Sequence, residues 1–415
     1  MGKKTILNKN FLILLIGQIV STFGSSVVRF SIDLYVLDIT KRADVFSLIV
    51  AFSFLPYLFV SPLGGIFADR FNKKTILITL EFLNAALIIS LMTLLSLKEN
   101  PIISIAVILM LLSVISAFYL PTVQSSVPLI TDKENLEASN GIISSIGALT
   151  NILAPAVGGA SYSFLGIRML LICASFVFIV AAIIELFISI PYKKIVSGKK
   201  IISTLISDFN EGFNYVIHKN KTVLSLSISA SLINLTLSSF VIVGTPIILR
   251  TVMHSNNTMY SIGMLILESG TILGAIFAGK ISKHFKINQL YKGVLLTALF
   301  LLLGGLSTLS IVNHHSYMMF FVIYSFFNAL IMAIATAISI IAISYIQRNT
   351  PETLLGKTMA TIMALAQVAA PIGQIFYGFV LQKYIASVYI SVLIATILTV
   401  AVSCFAKASL KNVKD

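Results

Sequence analysis

Four carboxylates, Asp33, Glu81, Glu185 and Glu268, lie inside long apolar runs of the sequence. A carboxylate in such a run is costly unless it is protonated or paired, so each is a candidate for carrying a proton. At about 1.5 Å per residue, Glu268 lies roughly 13 Å from the end of its run, whereas Glu81 and Glu185 lie roughly 9 Å from the ends of theirs. Depth therefore predicts Glu268 as the proton site; the alternative is a protonated side chain satisfied by helix packing.

A polar stripe follows one face of the first apolar run. At 100° per residue its five members fall within about 80° of one another; they are Gln18, Thr22, Ser25, Arg29 and Asp33. The spacing of Arg29 and Asp33 allows an ion pair, and Asp33 is either neutralised by that pair or available as a second proton site. The seventh run carries a similar stripe of Ser227, Ser231, Asn234 and Ser238.

The composition of the chain predicts that these residues lie in membrane-spanning segments. The chain has 415 residues, of which 57% are hydrophobic and 11% charged, whereas soluble domains carry about 25% charged residues. The apolar content suffices for about twelve membrane spans. This excludes a cytosolic enzyme, a disordered protein and a disulfide scaffold. The two cysteines and five histidines show no metal-ligand or catalytic pattern, so we expect neither a catalytic residue nor a metal.

The apolar runs predict six spans, a polar break at 191–221, and six more spans. If the N-terminus is cytoplasmic, the segments on the cytoplasmic side contain about 22 lysine and arginine residues and the segments on the other side about 6. This asymmetry predicts that both termini are cytoplasmic. The net charge of +14 is explained by this asymmetry, so no nucleic-acid partner is expected. The spans lie near 11–37, 45–67, 75–97, 102–127, 138–165, 168–190, 222–249, 259–279, 291–311, 317–346, 358–381 and 385–406.

The chain therefore divides into an N-terminal bundle at 1–190, a cytoplasmic linker at 191–221 and a C-terminal bundle at 222–415. In the linker, Phe209, Phe213 and Val216 recur at helical spacing opposite Asp208 and Glu211. This pattern predicts an amphipathic helix along the inner membrane face; a solvated linker is the alternative.

An internal repeat joins the two bundles. GGIFADRFNK at 64–73 and GAIFAGKISK at 274–283 share five of ten residues at an offset of 210. The dipeptide Ala-Pro is repeated as well, at 154–155 in the first half and at 370–371 in the second. Duplicated halves are typical of secondary transporters.

The segment 65–74 resembles the signature loop between helices two and three of the major facilitator superfamily. Gly65, Ala68, Asp69, Arg70 and Lys74 match that pattern, and Lys73 stands where arginine is usual. The resemblance implies a gating loop of Gly65, Asp69, Arg70, Lys73 and Lys74. We expect Asp69 at the start of the third helix, where its charge gains from the helix dipole. The alternative is a positively charged inner loop without a gating role.

The fifth run resembles the G-x8-G-x3-G-P-x2-G-G motif of drug–proton antiporters. Gly141, Pro155, Gly158 and Gly159 match, while Thr150 and Ala154 replace glycines. The resemblance implies a helix packed between the two halves; a small-residue packing face is the alternative. Looser similarity at 11–22, 119–140 and 346–360 points to the macrolide-efflux and siderophore-exporter branch.

These resemblances imply an all-α membrane fold of twelve helices in two pseudo-symmetric six-helix bundles, with alternating access to a central cavity. In that family helices one, four, seven and ten line the cavity. The cavity and substrate candidates are Gln18, Thr22, Ser25, Arg29, Tyr119, Gln124, Ser231, Asn234, Ser238, Tyr324 and Asn328.

The expected function is export of an amphipathic or hydrophobic small molecule by proton antiport, resembling macrolide efflux. The chain would act as a monomer in a bacterial plasma membrane, energised by the proton gradient without a cofactor. Export of a siderophore or lipid-like metabolite, uptake by proton symport, and a non-transporting sensor are the alternatives.

Overall fold

Twelve helices long enough to cross a membrane lie within the described residues, and two of them are joined in one longer helical run. The computed structural model describes residues 8–97, 101–132, 135–192, 210–281, 286–309 and 317–411, and eleven helices in these ranges are long and apolar enough to cross a membrane. The helix Leu136–Glu185 has 50 residues, or about 75 Å, against about 30 Å for a hydrocarbon core. Gly166 breaks it at φ 70° and ψ 169°, a conformation that glycine alone adopts readily, so this helix supplies two spans.

The spans are numbered in chain order. They are α1 Lys9–Thr40, α2 Ala43–Arg70, α3 Lys73–Ser96, α4 Pro101–Ile130, α5 136–165, α6 167–185, α7 Lys221–Val252, α8 Asn257–Ile281, α9 Leu290–Leu306, α10 Tyr317–Arg348, α11 Glu352–Lys383 and α12 Val388–Leu410. Every predicted span is present, and the twelve-helix fold is confirmed. Several helices run a few residues beyond the predicted ends, because backbone hydrogen bonding continues into the polar flanks after the apolar run stops.

The described residues form two compact units. The first unit takes α1 to Ile39 and the chain from Phe52 through α6, and the second takes Thr40–Ala51 and α7 to α12. Within the second unit, the backbone N–H of Ala43 donates to Gln382 Oε1 of α11 at 2.8 Å. The predicted division at 190 and 222 stays a prediction.

The first helix of each half contains a five-residue π-helical turn, Ile19–Phe23 in α1 and Asn234–Ser238 in α7. A π turn inserts one extra residue, which rotates the following helix face by about 100°. The prediction of a single straight stripe along α1 is therefore wrong in its geometry, since Gln18 precedes the π turn and Arg29 follows it. The matching turn in α7 supports the duplication.

The internal repeat also has a counterpart in packing. Gly64 of α2 lies against the carbonyl oxygen of Ala117 on α4, and Gly274 of α8 lies against that of Ala333 on α10. A Cβ at either glycine would collide with that backbone oxygen. Each repeat copy thus uses its first glycine to bring two helices into close contact.

The described part of the linker is helical over 210–214 and continues as a π turn over Tyr215–Lys219. Val216 is buried, Gly212 packs on the backbone of Lys357, and Glu211 pairs with the Lys357 ammonium at 2.8 Å. Phe213, predicted on the apolar face, is exposed. Asp208 and Phe209 lie outside the described residues, and placement of this helix on the membrane face stays a prediction.

Candidate functional site

Two glutamates meet inside the first unit. Glu81 of α3 and Glu185 of α6 are both 0% exposed and lie close enough to repel each other electrostatically. Tyr119 of α4, also buried, donates its hydroxyl to Glu185 Oε1 at 3.3 Å. Both oxygens of Glu81 and Oε2 of Glu185 are buried without a hydrogen-bond partner. Buried polar atoms are satisfied in the great majority of cases, so this pair is an exception that needs a chemical reason.

The π turn of α1 covers the glutamate pair. Gly17 lies directly against Glu185 Oε1, so a side chain at that position would require the Glu185 side chain to move. Ser21, one turn further on, neighbours both Glu81 and Tyr119. Gln18 is buried and donates to the carbonyl of Ile143 on α5 at 3.3 Å. The glutamate cluster, meaning Glu81, Glu185, Tyr119 and Ser21, therefore draws on four helices.

Beyond the turn, Arg29 makes a separate polar network. Its two terminal nitrogens donate to Ser53 Oγ of α2 at 3.2 Å and to Ser113 Oγ of α4 at 2.8 Å. Asp33 is near enough to interact with Arg29 electrostatically, but in the described structure no direct ion pair joins them. Arg29 thus links three helices of the first unit, and the partners of its guanidinium are hydroxyls.

The fifth helix packs on α1 through its small residues. Ser31 donates to the Gly158 carbonyl at 3.0 Å, and Gly158 lies against Phe30 and the Val27 backbone. Gly159 is also buried, and Pro155 lies inside the helix. Gly141 has open space around it. The contacts of Gly158 are those of a small-residue packing face within one unit.

The segment predicted to form a gating loop makes contacts to backbone carbonyls, and its gating role stays a prediction. Lys73 Nζ donates to Ala68 at 2.8 Å, Lys74 Nζ donates to Leu186 at 2.7 Å, and the Arg70 carbonyl accepts from the Tyr192 hydroxyl at 2.9 Å. Position 69 lies in the last turn of α2, not at the start of the third helix, so the expected gain from the N-terminal dipole is wrong. Asn72 caps α3 instead. The surroundings of Gly65 and the side chain of Asp69 are outside the described part.

A cavity of about 360 Å³ opens within the second unit, between α7, α9, α10, α11 and α12. Its lining is mostly Ile, Leu, Met and Ala, and none of the lining residues is charged. The polar groups are Ser229, Asn234, Ser238, Thr297, Thr336 and Ser339. Asn234 and Ser238, both in the π turn of α7, were predicted candidates, and Asn234 also donates to Ala366 of α11 at 3.0 Å.

Other candidates lie away from that cavity. Ser231 donates to its own helix at Ser227, and Asn328 Nδ2 donates to Tyr324 O. Tyr324 is buried with its hydroxyl unpartnered. Gln124 is exposed, whereas Thr22, Ser25 and Glu268 are partly buried. Their predicted roles in substrate or proton binding stay predictions.

Sequence reasoning gave Glu81 and Glu185 low priority, because each lies nearer a helix end than Glu268. The signal that was available is their equal depth, roughly 9 Å from the inner ends of their runs. Two carboxylates at one depth in neighbouring helices can share a layer of the bundle. The buried Tyr119, predicted as a substrate contact, belongs to this layer.

Twelve spans, a duplicated architecture and polar clusters inside the bundles define a secondary membrane transporter. The sequence matches the family model "Major Facilitator Superfamily" over residues 14–374. The chain belongs to this family, whose members are transporters and not enzymes.

Individual proteins show the same relationship. The chain is 24% identical to macrolide efflux protein A of Streptococcus pyogenes over 366 residues, 86% of each chain. It is also 24% identical to macrolide efflux protein A of Enterococcus faecalis, covering 77% of this chain and 96% of that one. Among solved structures, the nucleoside transporter NupG superposes with a TM-score of 0.72 at 14% identity, covering 98% and 100% of the two chains. The structural similarity shows the fold.

Proposed function

We propose that the protein exports an amphipathic or hydrophobic small molecule across a bacterial plasma membrane by proton antiport. The observation that carries the substrate class is the cavity of about 360 Å³ with an apolar lining and no charge. A sugar phosphate or other anion would be bound by arginine or lysine, and none lines this cavity. Six hydroxyl and amide side chains provide the hydrogen bonds that orient a ligand in an apolar pocket.

Similarity to two macrolide efflux proteins supports export as the direction and a macrolide as the first solute to test. The proton gradient is the proposed energy source, and the chain is proposed to act as a monomer with both termini in the cytoplasm. In the sequence-based scheme Glu268 is the candidate proton carrier because of its depth, and Asp33 is a second candidate because of its place in the polar stripe of α1.

The test is erythromycin transport into inside-out vesicles driven by a pH gradient. Accumulation that collapses when the gradient is dissipated supports antiport, and a lower erythromycin susceptibility of expressing cells supports export. Vesicles that accumulate no erythromycin, from cells whose susceptibility is unchanged, would contradict the macrolide proposal. They would favour the alternative of a siderophore or lipid-like metabolite as substrate, or of a sensor. Accumulation in the opposite orientation would indicate uptake by symport.

A further inference from the structure

The glutamate cluster is an ionisable site without solvent-exposed carboxylates in the described part of the first unit. Glu81 and Glu185 are both fully buried, and three of their four carboxylate oxygens lack a hydrogen-bond partner. An ionised carboxylate is stable in such a place only when a cation or several donors compensate it. Tyr119 donates to Glu185, and Ser21 and Asn84 lie beside Glu81, but none of these groups supplies a positive charge.

No positive charge meets this demand among the described residues. The nearest lysine along α3 is Lys74, whose ammonium donates to the Leu186 carbonyl at 2.7 Å. The groups that face the pair are Tyr119 from α4, Ser21 from α1 and Asn84 from α3 itself, all of them neutral at physiological pH. Two adjacent buried carboxylates without a cation cannot both be ionised, because each repels the other and neither is solvated.

Apolar packing keeps water from the cluster on its inner side. Tyr119 belongs to a buried core that includes Phe11, Leu14, Leu77 and Ile188, and these residues come from the inner parts of α1, α3 and the chain after α6. A proton held here is therefore shielded until a helix moves. Depth alone does not provide this shielding, and Glu268, which is only partly buried, lacks it.

Helix α1 is positioned to control that access. Gly17 lies against Glu185 Oε1, and Ser21 contacts the other side of the cluster. The same helix carries Arg29, which is bonded to α2 and α4. A shift of α1 during substrate movement would change the surroundings of Glu185 directly, and π turns of this kind often lie at functional sites.

We propose that Glu81 and Glu185 together form the site that binds and releases the proton exchanged during transport; this inference rests on the proposed antiport. In the bound state one of the two glutamates is a neutral carboxylic acid and the other is a carboxylate. On release the O–H bond of that acid breaks and the proton passes to a water molecule that enters when α1 shifts. Both carboxylates are then ionised, and the entering water solvates them.

The first experiment needs no substrate. Infrared spectra of the purified full-length protein are recorded over a pH series, following the carbonyl band of protonated carboxylic acids. We expect a band that titrates and that is diminished in Glu81→Gln and in Glu185→Gln. The band should be retained in Glu211→Gln, a matched change at an exposed glutamate. Tyr119→Phe removes the donor to Glu185 and should shift the pH at which the band disappears. A titrating band that is unchanged in both single variants and in the double variant would overturn the proposal.

The second experiment measures coupling in proteoliposomes with erythromycin as the probe. Glu81→Gln and Glu185→Gln should lower accumulation driven by a pH gradient at least tenfold, while exchange at equal pH on both sides persists. Retained accumulation in both variants, or its loss in Glu268→Gln alone, would overturn the assignment. If the wild type transports no erythromycin, the proposed substrate fails, and the infrared titration still decides whether the glutamate pair binds a proton.

Discussion

Replacing Gly17 by alanine tests the contact on which the glutamate cluster depends. A Cβ at this position would collide with Glu185 Oε1. Alanine is favoured over glycine in a helix by roughly 0.8–1.0 kcal/mol, whereas overpacking a tight contact costs about 1–3 kcal/mol. We therefore expect Gly17→Ala to lower the free energy of unfolding by up to about 2 kcal/mol, the difference between these two contributions. Gly141→Ala is the matched control, because nothing lies within 4 Å of that glycine.

The assay is thermal unfolding of the purified variants in detergent. The two alanine variants should differ by about 1–3 kcal/mol, with Gly141→Ala the more stable, at roughly 2–4 °C per kcal/mol. Combining Gly17→Ala with Glu185→Ala removes the colliding carboxylate, so Gly17→Ala should no longer lower the free energy of unfolding. The double-mutant cycle should then give a coupling energy of about 0.5–3 kcal/mol between the two positions. If Gly17→Ala matches Gly141→Ala, or if its penalty persists when Glu185 is truncated, Glu185 does not lie against α1 and the cluster geometry is refuted.

Three further predictions follow from the packing. Gly274→Leu should lower the free energy of unfolding by at least about 1–3 kcal/mol, because the new side chain collides with the Ala333 carbonyl. Ala275→Leu, at an exposed position of the same helix, should change it by less than about 0.5 kcal/mol. Equal unfolding temperatures of the two variants would contradict the close contact. Lys357→Met should cost less than about 1 kcal/mol, because its pair with Glu211 is solvent-exposed, and a large drop in unfolding temperature would show that the pair holds the linker. Thr336→Trp should fill the cavity and lower erythromycin transport several-fold at normal expression, whereas full transport would place the substrate elsewhere.

The spans could be predicted because they depend on local properties. Apolar length and the positions of lysine and arginine mark each helix, and the gap between the predicted spans 138–165 and 168–190 contains Gly166, where the structure breaks. The repeat at 64–73 and 274–283 was visible for the same reason. In the structure, Gly64 and Gly274 lie against backbone carbonyls of neighbouring helices. This packing role could not be predicted, because the sequence does not show which helices are neighbours.

The polar stripe of α1 failed for a different reason. Constant helical pitch places Gln18 and Arg29 on one face, but the π turn Ile19–Phe23 separates them. Gln18 then bonds to α5 and Arg29 to α2 and α4. An extra residue in a helical turn leaves no clear mark in the sequence, since Ile, Val, Ser, Thr and Phe are ordinary residues of an α-helix within a membrane.

Ranking the carboxylates by depth assumed that the cost of burial rises toward the middle of each helix. That assumption treats every helix as if it stood alone in lipid. In the bundle, the cost depends on what surrounds the side chain. Glu185 lies near the end of α6 yet is fully buried, because Gly17 lets α1 approach and apolar residues such as Ile188 pack nearby. Glu268 lies deeper along its helix but is partly exposed. The energetic case for a shared proton is therefore stronger at the pair near the helix ends, and it becomes visible only when α1, α3, α4 and α6 are placed together.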